Sequence, residues 1–336
     1  MQKYNVAVVG ATGLVGQTFL KVLKERNFPI DKLYLYASSR SAGKKIEYDG
    51  KEYEIIELKE ENIKDDIDIA LFSAGGDASK TFAPKFASKN AVVVDNSSAW
   101  RMDKNVPLVV PEANPDEVEK HLGIIANPNC STIQVIPVLS VLDKLYGLKR
   151  VVYSTYQAVA GSGQKGIDDL NANLEGKPSI NYPHQIAFNV LPHIDVFLDN
   201  GYTKEEVKMV EETRKILGRP DLKVTATCVR VPVRMGHAVS VNVELENPFE
   251  LNDIIKALEE KDGVIVVNNI KNNEYPMPID AEGKDEVFVG RIRRDESVDN
   301  GLNLWIVADN IRKGAATNTI QIAEEMIKRG IIKNKK

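Results

Sequence analysis

In the first 126 residues, short apolar runs alternate with stretches of helical spacing. Val6–Gly10 is an apolar run closed by glycine and predicts a buried strand. Over Leu14–Arg26 the period changes, and Leu14, Val15, Phe19, Val22 and Leu23 fall on one helix face. Lys32–Ala37, Asp68–Ser73 and Ala91–Asp95 predict further strands, with a helix over Ala78–Lys89. Strands alternating with helices predict a parallel sheet covered on both faces. Beyond residue 126 the pattern shifts. Cys130–Leu145 reads as one long helix apart from Pro137, then come a strand at Arg150–Gln157 and a glycine-rich turn at Ala160–Gly163. Lys223–Val233 and Ala238–Glu246 alternate as strands of an antiparallel sheet with one solvated face. Val264–Val267 and Asn303–Val307 add strands, and Gly314–Lys328 is helical, with Ala315, Thr319, Ile322, Ala323 and Met326 on one face. The expected organisation is α/β: a doubly wound parallel sheet over 1–126, rejoined by a helix at 314–330, and a mixed α/β domain over 127–313.

Composition narrows the function classes. At 336 residues the chain suits two domains, and 43% apolar with 27% charged residues is ordinary for a soluble globular protein. The net charge of −4 is spread along the chain. The one dense basic block is the tail Lys333–Lys336, read as a solvated end, so no nucleic-acid partner is expected. No run approaches the ~18 apolar residues of a membrane span, and the first apolar run is too short for a signal peptide. The two cysteines, Cys130 and Cys228, are spaced for neither a zinc site nor a disulfide framework. A cytoplasmic protein without a metal is the expectation.

Gly10-Ala-Thr12-Gly13-Leu14-Val15-Gly16 lies between a predicted strand and a predicted helix. Glycines there permit a tight turn and close approach to a pyrophosphate, which the helix N-terminus attracts. At the end of the second strand an NAD-binding chain would carry an acidic residue for the ribose hydroxyls. This chain has Ser38-Ser39-Arg40-Ser41, which suits the 2′-phosphate of NADP.

Asn127-Pro128-Asn129-Cys130 is a turn running straight into a helical pattern, so Cys130 is expected at a helix N-terminus, where thiolate is favoured. Cys228 lies mid-strand and reads as core, on the same strand face as Arg230. Of the four histidines, His121 lies in a charged helix-like segment and reads as surface, and His184 and His193 sit in proline-rich loops. His237, after a turn glycine at a strand end, is the candidate that can take and return a proton. Thr203-x-x-Glu206 reads as a capping box, leaving Glu205 and Lys208 as neighbours on one helix face; by themselves they read as a solvated salt bridge, and Arg101 as a loop cation.

GATGLVG, SSAWRMD, NPNCSTIQ, YQAVAGSG, EEVK, RVPVRMGH and DNIRKGAA, in this order along nearly the whole chain, resemble the aspartate-semialdehyde dehydrogenase family. The resemblance implies a Rossmann-type domain plus a mixed α/β catalytic and dimerisation domain, similar to glyceraldehyde-3-phosphate dehydrogenase. It implies NADPH-dependent reduction of L-aspartyl-4-phosphate to the semialdehyde with release of phosphate, on the way to lysine, methionine and threonine, in a homodimer or homotetramer. It makes Cys130 the nucleophile, His237 the general acid/base and Gln157 the group that orients the thioester. Arg230 would bind the substrate carboxylate, Glu205 its ammonium, and Arg101, Lys208 and Asn129 the phosphate. Gly10, Thr12, Gly13, Leu14, Val15, Ser38, Arg40, Ser41, Ala160, Gly161 and Asn310 would contact the cofactor. N-acetyl-γ-glutamyl-phosphate reductase runs the same chemistry on an acylated amine and is the alternative within the enzyme class. A thiol hydrolase and a non-catalytic NADP-binding protein are the alternatives outside it.

Overall fold

The computed structural model describes residues 2–332, so the basic tail Lys333–Lys336 lies outside the described residues. The chain forms two compact units, Met1–Pro128 with Ala315–Lys336, and Asn129–Gly314. Among the described residues no helix is long and apolar enough to cross a membrane.

The first unit contains β1 (Tyr4–Val9), α1 (Leu14–Glu25), β2 (Ile30–Ala37), β3 (Lys45–Tyr48), β4 (Lys51–Glu57), β5 (Ile69–Phe72), α2 (Gly76–Ser88), β6 (Val92–Asp95) and β7 (Ile124–Ala126). Its seven-stranded sheet has the order β3-β4-β2-β1-β5-β6-β7. All neighbours run parallel except the β3–β4 hairpin. The order reverses between β1 and β5, so the loop after β1 opens at the switch point where doubly wound sheets bind ligands. β1 and β5 are buried throughout. Burial on both faces explains why they read as unbroken apolar runs. The hairpin was not apparent in the apolar pattern, because β3 and β4 are largely exposed. Its turn is Asp49-Gly50, with φ of +50° and +75°, the two-residue connection such hairpins favour. The last helix is shorter than its pattern: Arg312–Thr317 is a π-helical turn, and the α-helix proper is Asn318–Lys328. Its Ile320, Ile322, Ala323 and Met326 join Val6, Val8, Phe19 and Leu23 in the core.

The second unit contains α3 (Cys130–Tyr146), β8 (Leu148–Gln157), α4 (Gln164–Leu174), α5 (Lys204–Leu217), β9 (Lys223–Arg230), β10 (His237–Leu245), α6 (Leu251–Glu259), β11 (Val264–Val266), β12 (Val287–Asp295) and β13 (Gly301–Ala308). The sheet order is β11-β12-β13-β10-β8-β9. α3, α5 and α6 cover one face, where Val135, Leu139, Met209 and Ile254 pack on Val151, Tyr153, Val241 and Leu304. β9 corrects the antiparallel expectation: it runs parallel to β8 and stops at Arg230. Alternation reports which face is buried, not strand direction. The connection through α4 and α5 is the long crossover a parallel neighbour requires.

Candidate active site

Asn129 starts α3. Its backbone is extended (φ −61°, ψ 143°), and its Oδ1 accepts the Ser131 N–H at 2.9 Å, capping the helix. Cys130 is therefore the first helical residue, half-buried, where the positive end of the helix favours an anion. Behind it there is no room for a side chain: a Cβ on Gly314 would lie 2.8 Å from Cys130 Cβ.

The side chain of Asn129 also faces α5. Its Nδ2 donates to Glu205 Oε1 at 2.9 Å, and Gln157 Nε2 donates to the same oxygen at 3.0 Å. Lys208 Nζ reaches Glu205 Oε2 at 3.1 Å. The capping box forms as expected, with Glu206 accepting from the N–H of Thr203 at 2.7 Å. Glu206 also accepts the Cys228 N–H at 3.1 Å. With Glu206 so engaged, Glu205 turns inward, toward Asn129 and Gln157. The solvated-pair reading is thereby corrected: the Glu205 side chain is 7% exposed and that of Lys208 23%. Burial alone would raise the pKa of Glu205, but Lys208 and the amides of Gln157 and Asn129 outweigh it and keep the carboxylate ionised.

At the far end of β8, Gln157 and Arg230 are register partners on adjacent parallel strands. Arg230 Nη1 donates to the Ala158 carbonyl at 2.8 Å. The Ala158 N–H donates to His237 Nδ1 at 2.9 Å. His237 is the first residue of β10, after Gly236 at φ +83°. Gln134, one turn beyond Cys130, donates to the His237 carbonyl at 3.2 Å, so the start of α3 lies against this strand end. A Cβ on Gly161 would lie 2.7 Å from Arg230 Nη1 and 3.1 Å from His237 Nε2, so both tips meet beneath that glycine. Asn310 Oδ1 accepts the Gly236 N–H at 2.9 Å. Arg230 Nε, His237 Nε2 and Asn310 Nδ2 are buried without a hydrogen-bond partner. Buried donors in a native protein are normally satisfied, so three together point to a ligand that supplies acceptors.

The ordinary imidazole pKa does not hold at His237. Burial, with the Arg230 charge beside it, pushes it well down, so the resting ring is neutral. His121 also departs from its surface reading: it is half-buried after a 3-10 turn, accepts the Gly123 N–H, and has its pKa lowered by burial. His184 is exposed, and His193 stacks on Phe197 at 4.3 Å. Cys228 is in the core, its thiol pushed far up by burial.

Arg101 and the residues of the glycine loop belong to the first unit. Arg101 is buried, its guanidinium donating to the carbonyls of Asn127 and Asn96 at 2.9 and 3.0 Å, so it is not a free loop cation. Gly10 and Gly16 are required by the turn itself, since a Cβ on either would lie 2.3 or 2.1 Å from a backbone oxygen. Gly13 has no such constraint. It is the N-cap of α1 without any side-chain cap, and with Thr12 it is exposed, which leaves the helix start open to a phosphate. Ser38, Ser39 and Arg40 are exposed at the end of β2, where a turn closes from the Ser41 N–H to the Ser38 carbonyl at 2.9 Å. Sequence reasoning passed over Thr155, which donates to Gln157 Oε1 at 2.9 Å, and Glu212, which accepts the Asn129 N–H at 2.6 Å. Glu212 was legible in principle: Glu205, Met209, Glu212 and Ile216 share the buried face of α5.

Residues 5–121 match the family model described as semialdehyde dehydrogenase, NAD binding domain, and residues 139–313 that described as semialdehyde dehydrogenase, dimerisation domain. The chain is 60% identical over 338 residues to the aspartate-semialdehyde dehydrogenase of Aquifex aeolicus, covering 98% of this chain and 99% of that one. It is 48% identical to the Bacillus subtilis enzyme of the same name, at the same coverage. The chain belongs to the aspartate-semialdehyde dehydrogenase family. Among solved structures, the Vibrio cholerae aspartate semialdehyde dehydrogenase II complexed with ASA superposes with a TM-score of 0.94 at 47% identity, covering 98% of this chain and 99% of that one. The Candida albicans enzyme with NADP gives a TM-score of 0.79 at 27% identity, covering 98% and 100%. Both units thus have their counterparts in the family, and the nicotinamide cofactor it uses fits the open loop after β1.

Proposed function

We propose that this oxidoreductase reduces L-aspartyl-4-phosphate to L-aspartate-4-semialdehyde with NADPH, releasing phosphate, in the cytoplasmic route to lysine, methionine and threonine. The observation that carries the reading is that one end of the second unit's sheet gathers the start of α3 with Cys130, a buried carboxylate, Glu205, bonded by the Asn129 and Gln157 amides, and a buried guanidinium, Arg230, in register with Gln157. An amino acid presents the complementary pair, with its carboxylate to Arg230 and its ammonium to Glu205. An N-acetylated substrate has no ammonium, and a buried, ionised Glu205 would have nothing to meet.

Cys130 attacks the acyl carbonyl, forming a C–S bond as the C–O bond to phosphate breaks. Lys208, Arg101 and Asn129 are assigned to the phosphate on the family resemblance. The oxyanion forms beside the first N–H groups of α3, and His237 presents Nε2–H to it. Gln157, held by Thr155 and Glu205, orients the acyl group. When bound, the reduced nicotinamide supplies the hydride that turns the Cys130 thioester into the aldehyde level. The C–S bond then breaks, the aldehyde leaves, and His237 manages the accompanying proton. Gly10, Thr12, Gly13, Leu14 and Val15 would hold the pyrophosphate, Ser38, Arg40 and Ser41 the 2′-phosphate, and Ala160, Gly161 and Asn310 the nicotinamide end. The exposed arginine and serines after β2 support NADP over NAD.

The assembly is assigned as a dimer through the face of the six-stranded sheet opposite α3, α5 and α6, where Val267 and Ala281 cover only the part over Ala238, Phe288 and Val307. That face carries Val152, Ser154, Tyr156, Ser240, Asn242 and Trp305 on neighbouring strands. Tyr156 is 40% exposed, and a surface of small hydroxyls and aromatics, edged by Arg291, Arg293 and the Lys149–Glu244 pair, suits a second copy.

The test is the reverse reaction: L-aspartate semialdehyde, phosphate and NADP or NAD, with NADPH or NADH followed by absorbance, for wild type and Cys130→Ala. Phosphate-dependent turnover that prefers NADP and disappears in the variant is expected. Folded wild type with no turnover on either cofactor would overturn the reading.

A further inference from the structure

Lys208 lies between two carboxylates. It donates to Asp195 Oδ2 at 2.8 Å and to Glu205 Oε2 at 3.1 Å. Glu205 is on the same helix, one turn back. Asp195 comes from the segment between α4 and α5, and is tied down there in a left-handed backbone conformation, φ +68°. The Val196 N–H donates to its Oδ1 at 2.8 Å, and the Lys204 N–H donates to the Val196 carbonyl at 2.9 Å. Four residues earlier, Leu191 and Arg230 exchange backbone hydrogen bonds of 2.9 and 2.8 Å. The segment that carries Asp195 is therefore fastened to both charged residues assigned to the substrate: to Arg230 directly, and to Glu205 through Lys208.

Asp195 and Glu205 both hydrogen-bond Lys208, two negative charges to one positive at that ammonium, and Lys204 adds a further positive charge on the Asp195 side. Glu205 Oε1 is filled by the amides of Asn129 and Gln157, whereas Oε2 receives Lys208 alone. A carboxylate oxygen has room for two donors. Were Lys208 paired with Glu205 only, the two would form a closed neutral pair, and a second cation would gain little by approaching. With Lys208 shared between Asp195 and Glu205, Glu205 keeps an acceptor position on Oε2 and part of its negative charge in buried surroundings, where each charge counts for more than in water.

We propose that Asp195 is a positioning residue: by sharing Lys208 with Glu205, it keeps Lys208 from neutralising Glu205 fully, so that Glu205 can receive the α-ammonium of the substrate. This rests on the function proposed above and extends it to a residue outside the pocket. The role is electrostatic, so it predicts a split between substrates. In Asp195→Asn, the KM for L-aspartate semialdehyde should rise about fivefold, the scale of one partly screened charge contact. The KM for phosphate should hold or fall, because Lys208 loses an anionic competitor, and kcat should change little. With 4-oxobutanoate, the same aldehyde acid without the amine, the variant should match wild type, so the preference for the aminated substrate narrows. Asp195→Glu should restore much of that preference. Asp195→Ser, in the same assays, carries the test if the asparagine variant does not fold. Equal losses on both aldehydes, a rise in the phosphate KM, or unchanged kinetics would overturn the proposal. Absence of wild-type turnover on aspartate semialdehyde would instead defeat the function on which it rests.

Discussion

Because the Ala158 N–H donates to His237 Nδ1, the neutral imidazole must carry its proton on Nε2, the nitrogen that points at Gly161 and has no partner. That tautomer is a donor. It serves a developing oxyanion directly, and it cannot accept the Cys130 proton at Nε2 without first giving up its own. The acid half of the assigned acid/base role is the half this geometry prepares. Nitrogen-15 NMR of histidine-labelled protein, with His237→Asn used for assignment, should show the Nε2–H tautomer at neutral pH. An imidazolium signal near pH 7 would contradict it. Stability follows the same shift. The folded pKa of His237 lies well below the unfolded value of about 6.5, so its contribution is complete above that pH and is lost as pH falls beneath it. His121 shifts in the same direction. Glu205, lowered by Lys208 and its amide donors, also loses stability on acidification, starting as pH falls through the ordinary glutamate value of about 4.3. Thermal melts should therefore decline between pH 6.5 and about 5, ahead of any carboxylate effect, and the decline should be shallower in His237→Asn.

The starts of α3 and α5 set the pocket more than their interiors do. The capping box of α5 uses Thr203 and Glu206, and by engaging Glu206 it fixes which of two adjacent glutamates faces inward. Thr203→Ala should cost ~1 kcal/mol of stability, the usual worth of an N-cap hydroxyl. It should also raise the KM for the amino-acid substrate, because the first turn that carries Glu205 is loosened. Denaturant titration beside steady-state kinetics measures both, and a stability loss with unchanged KM would separate the cap from the pocket. Both caps were legible in the sequence, since Asn129 and Thr203 each precede a helical pattern in a residue type that caps. The buried strands β1 and β5 were legible for the same kind of reason, each being a continuous apolar run. Three features were not. β9 alternates as an antiparallel strand would, yet pairs in parallel, because burial is blind to direction. The β3–β4 hairpin buries little, and its Asp49-Gly50 turn was its strongest signal. The contacts that arrange the site, from Gln134 to the His237 carbonyl, from Ala158 to its ring and from Lys208 to Asp195, join residues between 13 and 103 positions apart, which no local pattern encodes.

At the scale of the whole molecule, the six-stranded sheet is helix-covered on one face, while on the other Val267 and Ala281 pack over Ala238, Phe288 and Val307 and leave the part around Tyr156 exposed. Trp305 is anchored there by its indole N–H to the Pro276 carbonyl at 2.9 Å and tilts against Tyr156 with ring centroids 5.4 Å apart. If this face joins two copies, Trp305→Lys should shift the sedimentation coefficient from dimer toward monomer while far-ultraviolet circular dichroism stays unchanged; a variant that remains dimeric would move the interface elsewhere. The two cysteines lead in another direction. Cys130 is half-exposed at a helix start, whereas Cys228 is sealed in β9 with its thiol strongly disfavoured from ionising. An alkylating reagent added to the folded chain therefore meets one reactive sulfur, and the second becomes available only when the sheet opens. Blocking Cys130 first turns Cys228 into a built-in clock for unfolding: the rate at which a second mass increment accumulates in native buffer reads how often the catalytic unit comes apart, without a probe having to be engineered into it.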